Sequence, residues 1–115
     1  MPEPRAQFEL EVSHAHAIAE AVQKLNGVAG LDGGRYGSVN LLFPGERVSG
    51  MRRPDPRDDR HLQINVRVDI SAQPDLYRLA EEIRSTARKA CTELDRVDVE
   101  FSDAVDGLSA APSKD

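Results

Sequence analysis

Residues 62–70, Leu-Gln-Ile-Asn-Val-Arg-Val-Asp-Ile, alternate apolar and polar side chains without a fault. Successive side chains of a strand point to opposite faces. Leu62, Ile64, Val66, Val68 and Ile70 therefore share one face, and Gln63, Asn65, Arg67 and Asp69 the other. Such a strand buries its apolar side and turns its polar side to water or a partner. The next two segments of the chain narrow the fold further. Pro74 and Asp75 suit the first turn of a helix, and Leu76, Leu79, Ala80, Ile83, Ala87, Ala90, Cys91 and Leu94 recur at helical spacing over about five turns. Val97-Asp98-Val99-Glu100-Phe101 then alternates again. Strand, helix and strand in succession predict a right-handed crossover, with the segments at 62–70 and 97–101 paired in parallel.

Upstream, Ser13 is an expected N-cap for a helix reaching about Leu25, whose stripe is Ala15, Ile18, Ala19, Val22 and Leu25. Asn26-Gly27 stops it. Seven of the eight glycines fall between residues 27 and 50. Within that stretch Tyr36, Val39, Leu41, Leu42 and Phe43 precede Pro44-Gly45, and Val48 and Met51 come after it, which predicts two short strands joined by a type II turn. Gly33, Gly34, Pro44 and Gly45 are read as structural turn positions, with positive φ at Gly45 and at one of the first pair. Phe8, Leu10 and Val12 alternate with Glu9 and Glu11, as a short strand or an extended arm would.

A chain of 115 residues is too short for two ordinary domains. The expected organisation is an N-terminal arm or short strand at 1–12, a single domain at 13–105 and a disordered tail at 106–115. The expected fold is α+β, a small mixed sheet with two helices on one face, in the order α-β-β-β-α-β. Leu62, Ile64, Val66, Val68, Leu79, Ile83, Val97 and Val99 should share one core with Ile18 and Val22.

Several chemistries are excluded on residue grounds. The single cysteine, Cys91, permits neither an internal disulfide nor a CxxC metal knuckle, and its place on the helical stripe makes it a core residue. His14 and His16 would lie about 200° apart on a helix and could not face one metal together; His61 is remote in sequence. No metal or cofactor is expected. The run Gly27-x-x-Gly30-x-x-Gly33-Gly34 comes after a helix and before a strand, the reverse of a dinucleotide fingerprint. No nucleophile–base pair or carboxylate dyad can be placed, so no enzyme is expected. No apolar run approaches a membrane span and no signal pattern opens the chain.

Fifteen basic against twenty acidic side chains give a net charge of −5, which argues against general polyanion binding. The basic concentration is Arg47, Arg52, Arg53, Arg57 and Arg60, with Asp55, Asp58 and Asp59 interspersed. The loop from Arg52 to Arg60 is polar and stiffened by Pro54 and Pro56. Arg52, Arg53, Arg57 and Arg60 form the candidate partner surface. Residues 93–106 are acidic, with Glu93, Asp95, Asp98, Glu100, Asp103 and Asp106 against one Arg96. An acidic strand opposes edge-to-edge aggregation and also suits a basic partner.

One stretch carries a likeness. Leu25-Asn26-Gly27-Val28-Ala29-Gly30-Leu31, then Gly33-Gly34-Arg35-Tyr36-Gly37, then Phe43-Pro44-Gly45-Glu46-Arg47-Val48 and Gly50, stand in an order that resembles the alkaline shock protein 23 family. The family is also called the Gls-type envelope stress response family, and the likeness is to its short actinobacterial members. The later alternating strand, the Pro-started helix and the close at Val97-Asp98-Val99 and Asp103-Ala104-Val105 also resemble it, so the likeness covers about residues 13–105. Twelve arginines against three lysines fit a GC-rich source of that kind.

The resemblance implies a cytoplasmic, non-enzymatic protein of cell-envelope homeostasis that acts through protein–protein contact. It also implies self-assembly, and recruitment to the inner face of the cytoplasmic membrane by a membrane-anchored protein or a family paralogue. It brings no catalytic residues with it. The Arg52–Arg60 loop is longer and more charged than is usual in the family, and the His-Ala-His start is not one of its features. The alternative is a small nucleic-acid-associated α/β module, against which net acidity and the lack of surface aromatics both count.

Overall fold

The computed structural model describes residues 7–106. Along the chain run α1 (Val12–Gln23), β1 (Val28–Leu31), β2 (Asn40–Phe43), β3 (Glu46–Ser49), β4 (Met51–Arg52), β5 (His61–Asp69), α2 (Leu76–Ala90) and β6 (Arg96–Val105). Short 3₁₀ turns lie at Arg35–Gly37 and Ile70–Ala72. The expected loose ends fall outside the described residues, apart from 7–12 and 106.

The alternating stretch becomes the central strand. Leu62, Ile64 and Val66 of β5 are wholly buried and Val68 nearly so. β6 runs parallel to β5 along its whole length, from His61 opposite Arg96 to Asp69 opposite Val105, with a bulge after Val66. The expected parallel pairing is present, and α2 forms the connection. The opposite edge of β5 is shared by two short antiparallel strands, β1 beside Val66–Val68 and β4 beside Gln63 and Ile64. The sheet is therefore mixed and four-stranded, and the fold is α+β.

Two corrections apply to the expected element order. β1 and β4 are additional strands; Val28-Ala29-Gly30-Leu31 has no alternation to reveal it, and two residues are too few to show a period. The Pro44-Gly45 hairpin pairs β2 with β3 as expected, but as a separate two-stranded sheet. It still joins the core through Leu41 and Val48. Tyr36, grouped with the hairpin in the sequence, stands fully exposed in a 3₁₀ turn at φ +61°.

Both helices lie on the apolar face of β5. Ala15, Ile18 and Val22 of α1 and Leu79, Ile83 and Ala87 of α2 share one cluster with Leu62, Ile64, Val66 and Val97. Each buried Leu, Ile or Val among them contributes roughly 1.5–3 kcal/mol. Of the expected core, Val68 is buried beside this cluster and Val99 is half-buried against it. The helix ends differ from the expected ones. α1 starts one residue before Ser13, because Glu11 takes the N-cap position and its backbone N–H donates to His14 Nδ1 at 3.0 Å. It ends at Gln23, two residues short of Leu25.

α2 is capped by Asp75, whose carboxylate accepts from the Arg78 N–H at 3.2 Å, so Pro74 stands outside the first turn. The helix stops at Ala90, with Arg88 and Lys89 at its negative end. Cys91 and Leu94 are buried as the stripe implied, but from the turn beyond the helix.

Gly34 and Gly45 take positive φ as expected, at +77° and +78°. The more demanding position is Gly50, which no turn motif marks in the sequence. It sits at φ +97°, and a Cβ there would lie 2.4 Å from Leu31 Cβ. Its N–H donates to the Val39 carbonyl and its carbonyl accepts from the Asn65 N–H, both at 2.9 Å. Gly45 has open space around it. Gly50→Ala should therefore cost about 3 kcal/mol, from backbone strain plus overpacking, and Gly45→Ala about 1 kcal/mol, from backbone strain alone. Thermal melts of the two variants check this; equal melting temperatures would refute the close approach at Gly50.

Candidate functional site

The strongest candidate is built where two periodic patterns run out. β5 ends at Asp69, whose carboxylate accepts from the Ser71 N–H at 3.0 Å and from Ser71 Oγ at 2.6 Å, curling the chain into the 3₁₀ turn. Gln73 then adopts a left-handed conformation at φ +49° before Pro74 and the Asp75 cap. This link carries Ile70 and Leu76 off the core, so they stand 52% and 46% exposed although both fit the apolar pattern. Tyr77 beside them is 90% exposed.

Two open grooves result. One, of about 470 Å³, is walled by Val68, Ile70, Pro74, Leu76, Phe101 and Ala104 together with Gln73, Ser102 and Asp103. The second, also about 470 Å³, is walled by Leu76, Tyr77, Ala80, Val99 and Phe101 with Glu81 and Arg84. They share Leu76 and Phe101 and so run on along β6. Among the described residues β6 pairs with β5 alone, which leaves its outer edge open. Arg84 closes the beginning of that edge: its Nε donates to the Val97 carbonyl at 3.1 Å, while its Nη1 pairs with Glu81 at 2.6 Å.

On the side of the sheet away from the helices, β6 carries a row of carboxylates. Register sets Asp98, Glu100 and Asp103 level with Gln63, Asn65 and Arg67. Asp98 accepts from His61 Nε2 at 2.7 Å and Arg96 Nε at 3.1 Å. The His61 hydrogen bond, aided by Arg96, holds its carboxyl below the usual carboxylate range. Asp32, just after β1, accepts from the Gly34 N–H at 3.0 Å and from Ser102 Oγ at 2.8 Å. Those bonds and the charge of Arg67 lower its pKa too. Glu100 and Asp103 form no ion pair among the described residues.

The four arginines of the expected partner surface each have their own local setting. Arg52 lies on β4 opposite Gln63. Arg53 pairs with Asp59 at 2.8 Å, and Asp59 also accepts from the Leu10 N–H at 2.6 Å. Arg57 turns back to Asp55, and its side chain is 92% exposed. Arg60 donates to the Glu93 carbonyl at 3.1 Å and lies 5.4 Å over the Phe8 ring. The loop thus fastens the N-terminal segment and the turn before β6 to the domain.

Folding also assembles a cluster that the sequence does not reveal. His14 comes beside Cys91 and Glu93, with one ligand atom from each within 4.8 Å of the others. Neither the spacing of the histidines nor the place of Cys91 on the helical stripe reveals this approach. Thiolate, imidazole and carboxylate together would suit zinc. The hydrogen bonding runs the other way. His14 Nδ1 accepts from the Glu11 N–H, which places the ring proton on Nε2, whereas a metal-bound imidazole donates its second N–H outward. Burial pushes the Cys91 thiol pKa up, and the thiol points to Glu93 Oε1 at 3.8 Å. A buried, protonated thiol is also the wrong state for a nucleophile. His61, oriented by Asp98, has no hydroxyl or thiol hydrogen-bonded to it among the described residues.

Cys91 should therefore resist thiol reagents at neutral pH until the chain is unfolded. One equivalent of zinc should leave the melting temperature unchanged to within about a degree. Stabilisation by several degrees would identify the cluster as a metal centre instead.

The chain matches no protein-family model, and no curated protein or solved structure matches it significantly.

Proposed function

We propose that this chain is a non-catalytic interaction protein that docks a partner protein along the grooves beside α2 and the open edge of β6. The observation that carries this reading is the coincidence of a strand of ten residues, paired on one side only among the described residues, with two adjoining apolar grooves that share Leu76 and Phe101. The envelope-homeostasis role and the cytoplasmic location rest on the sequence resemblance. In this reading a membrane-anchored protein or a paralogue recruits the chain to the inner face of the cytoplasmic membrane. Among the described residues no helix is long and apolar enough to cross a membrane. The charge of −5 disfavours direct adsorption to anionic lipid, so residence at the membrane calls for a protein contact.

Cell fractionation tests the proposal. The parent chain should partition with membranes when the anchoring protein is present and move to the supernatant when it is deleted. Leu76→Ser combined with Tyr77→Ser should release it as well, while melting within roughly 3 °C of the parent, since both side chains are largely exposed. A parent chain that stays in the supernatant in both strains would overturn the reading, as would a double variant that partitions like the parent.

A further inference from the structure

Resting on that docking reading, we infer that the partner enters as an extended segment that adds a strand to β6, with basic side chains alternating with apolar ones. The backbone supplies the first argument. The Val97 carbonyl faces Arg84 rather than β5. Residues two apart along a strand present their backbone groups to the same edge, so Val99 and Phe101 turn their N–H and carbonyl groups outward with it. Beyond Arg84 nothing among the described residues pairs with this edge. The open stretch Val99–Ala104 is about 20 Å long at strand rise, enough for a segment of about six residues. Main-chain pairing of this kind supplies affinity, and pockets for alternate side chains supply specificity.

The side chains decide the occupant. A strand laid along β6 sends every second side chain toward Leu76, Tyr77 and Phe101, which requires apolar residues. The intervening side chains emerge beside Glu100 and Asp103, two carboxylates that form no ion pair among the described residues, and this requires Lys or Arg. A second copy of the chain is disfavoured by the same ladder. A two-fold axis makes the β6 strands antiparallel and brings Asp98, Glu100 and Asp103 of both copies together on one face, like charge against like. The carboxylates thus guard the edge against self-pairing and select a basic partner.

Peptide binding to the full chain, monitored by fluorescence anisotropy, tests this. The probe is a labelled peptide of sequence Thr-Val-Lys-Val-Arg-Ile-Lys. Two controls accompany it, one with Glu in place of every Lys and Arg, the other N-methylated on alternate amides. The basic peptide should bind, and each control should bind at least about tenfold more weakly. Glu100→Lys should weaken the basic peptide by a similar factor and improve the acidic one; Glu100 is exposed, so the fold is retained. Equal binding of the methylated peptide would overturn strand addition, and equal binding of the acidic peptide would overturn the charge selection. Failure of every peptide, or concentration-dependent dimerisation that occupies the edge, would overturn both. If membrane partitioning still depends on Leu76 and Tyr77 while no basic peptide binds, strand addition falls and the docking reading stands.

Discussion

Pairing along both edges of β5 holds the remaining elements in place. β6 occupies one edge over nine residue positions, and β1 and β4 divide the other. The apolar side chains of β5 then form the floor on which both helices rest. Leu62, Ile64 and Val66 are wholly buried in the one cluster that the stripes of both helices join. Asn65 extends this role to the far side. Its N–H donates to the Gly50 carbonyl, its carbonyl accepts from the Asp32 N–H, and its side chain accepts from Gln63 Nε2 at 2.7 Å. One buried polar residue thereby anchors the two points where the β2–β3 hairpin leaves and rejoins the sheet, with no buried side-chain donor or acceptor left unsatisfied among the described residues.

The same arrangement produces the docking surface. A central strand satisfied on both sides passes the open edge outward to β6, and β6 manages that edge in two ways. Arg84 covers its beginning, and the carboxylates of Asp98, Glu100 and Asp103 line its polar face. Those acids have different neighbours. Asp98 is engaged by His61 and Arg96, which favours its ionised form, whereas Glu100 and Asp103 face solvent. A depressed carboxyl pKa contributes stability at pH values above the unfolded value, and the contribution fades as pH falls through the folded value. Asp32 and Asp98 place that loss on the acid side, so β6 is held more firmly at neutral than at acid pH.

Much of the fold was legible in the sequence because its two main signals are long. Nine residues of strict alternation and a stripe of about five turns leave little choice of register, and the parallel crossover results from their order. Short elements were not legible: β1 has a glycine where alternation would show, and β4 has two residues. The candidate site lies where the patterns overreached. Ile70 continues the apolar period of β5 one step into the 3₁₀ turn, and Leu76 opens the period of α2 in the first residue after the Asp75 cap, yet both side chains are left exposed. The loop arginines stand out by number, but their neighbouring aspartates and backbone carbonyls occupy most of them. The approach of His14 to Cys91 joins the start of one helix to the end of the other, and no local pattern encodes it.

Amide hydrogen exchange measured residue by residue bears most directly on the claim that β5 is paired on both edges and β6 on one. The account predicts that β5 amides exchange only through global unfolding, and that protection alternates along β6. Asp98 and Glu100, whose amides face β5, should exchange at least about 100-fold more slowly than Val99 and Phe101. Uniform protection along β6, or β5 amides exchanging as fast as those of Val99 and Phe101, would contradict it.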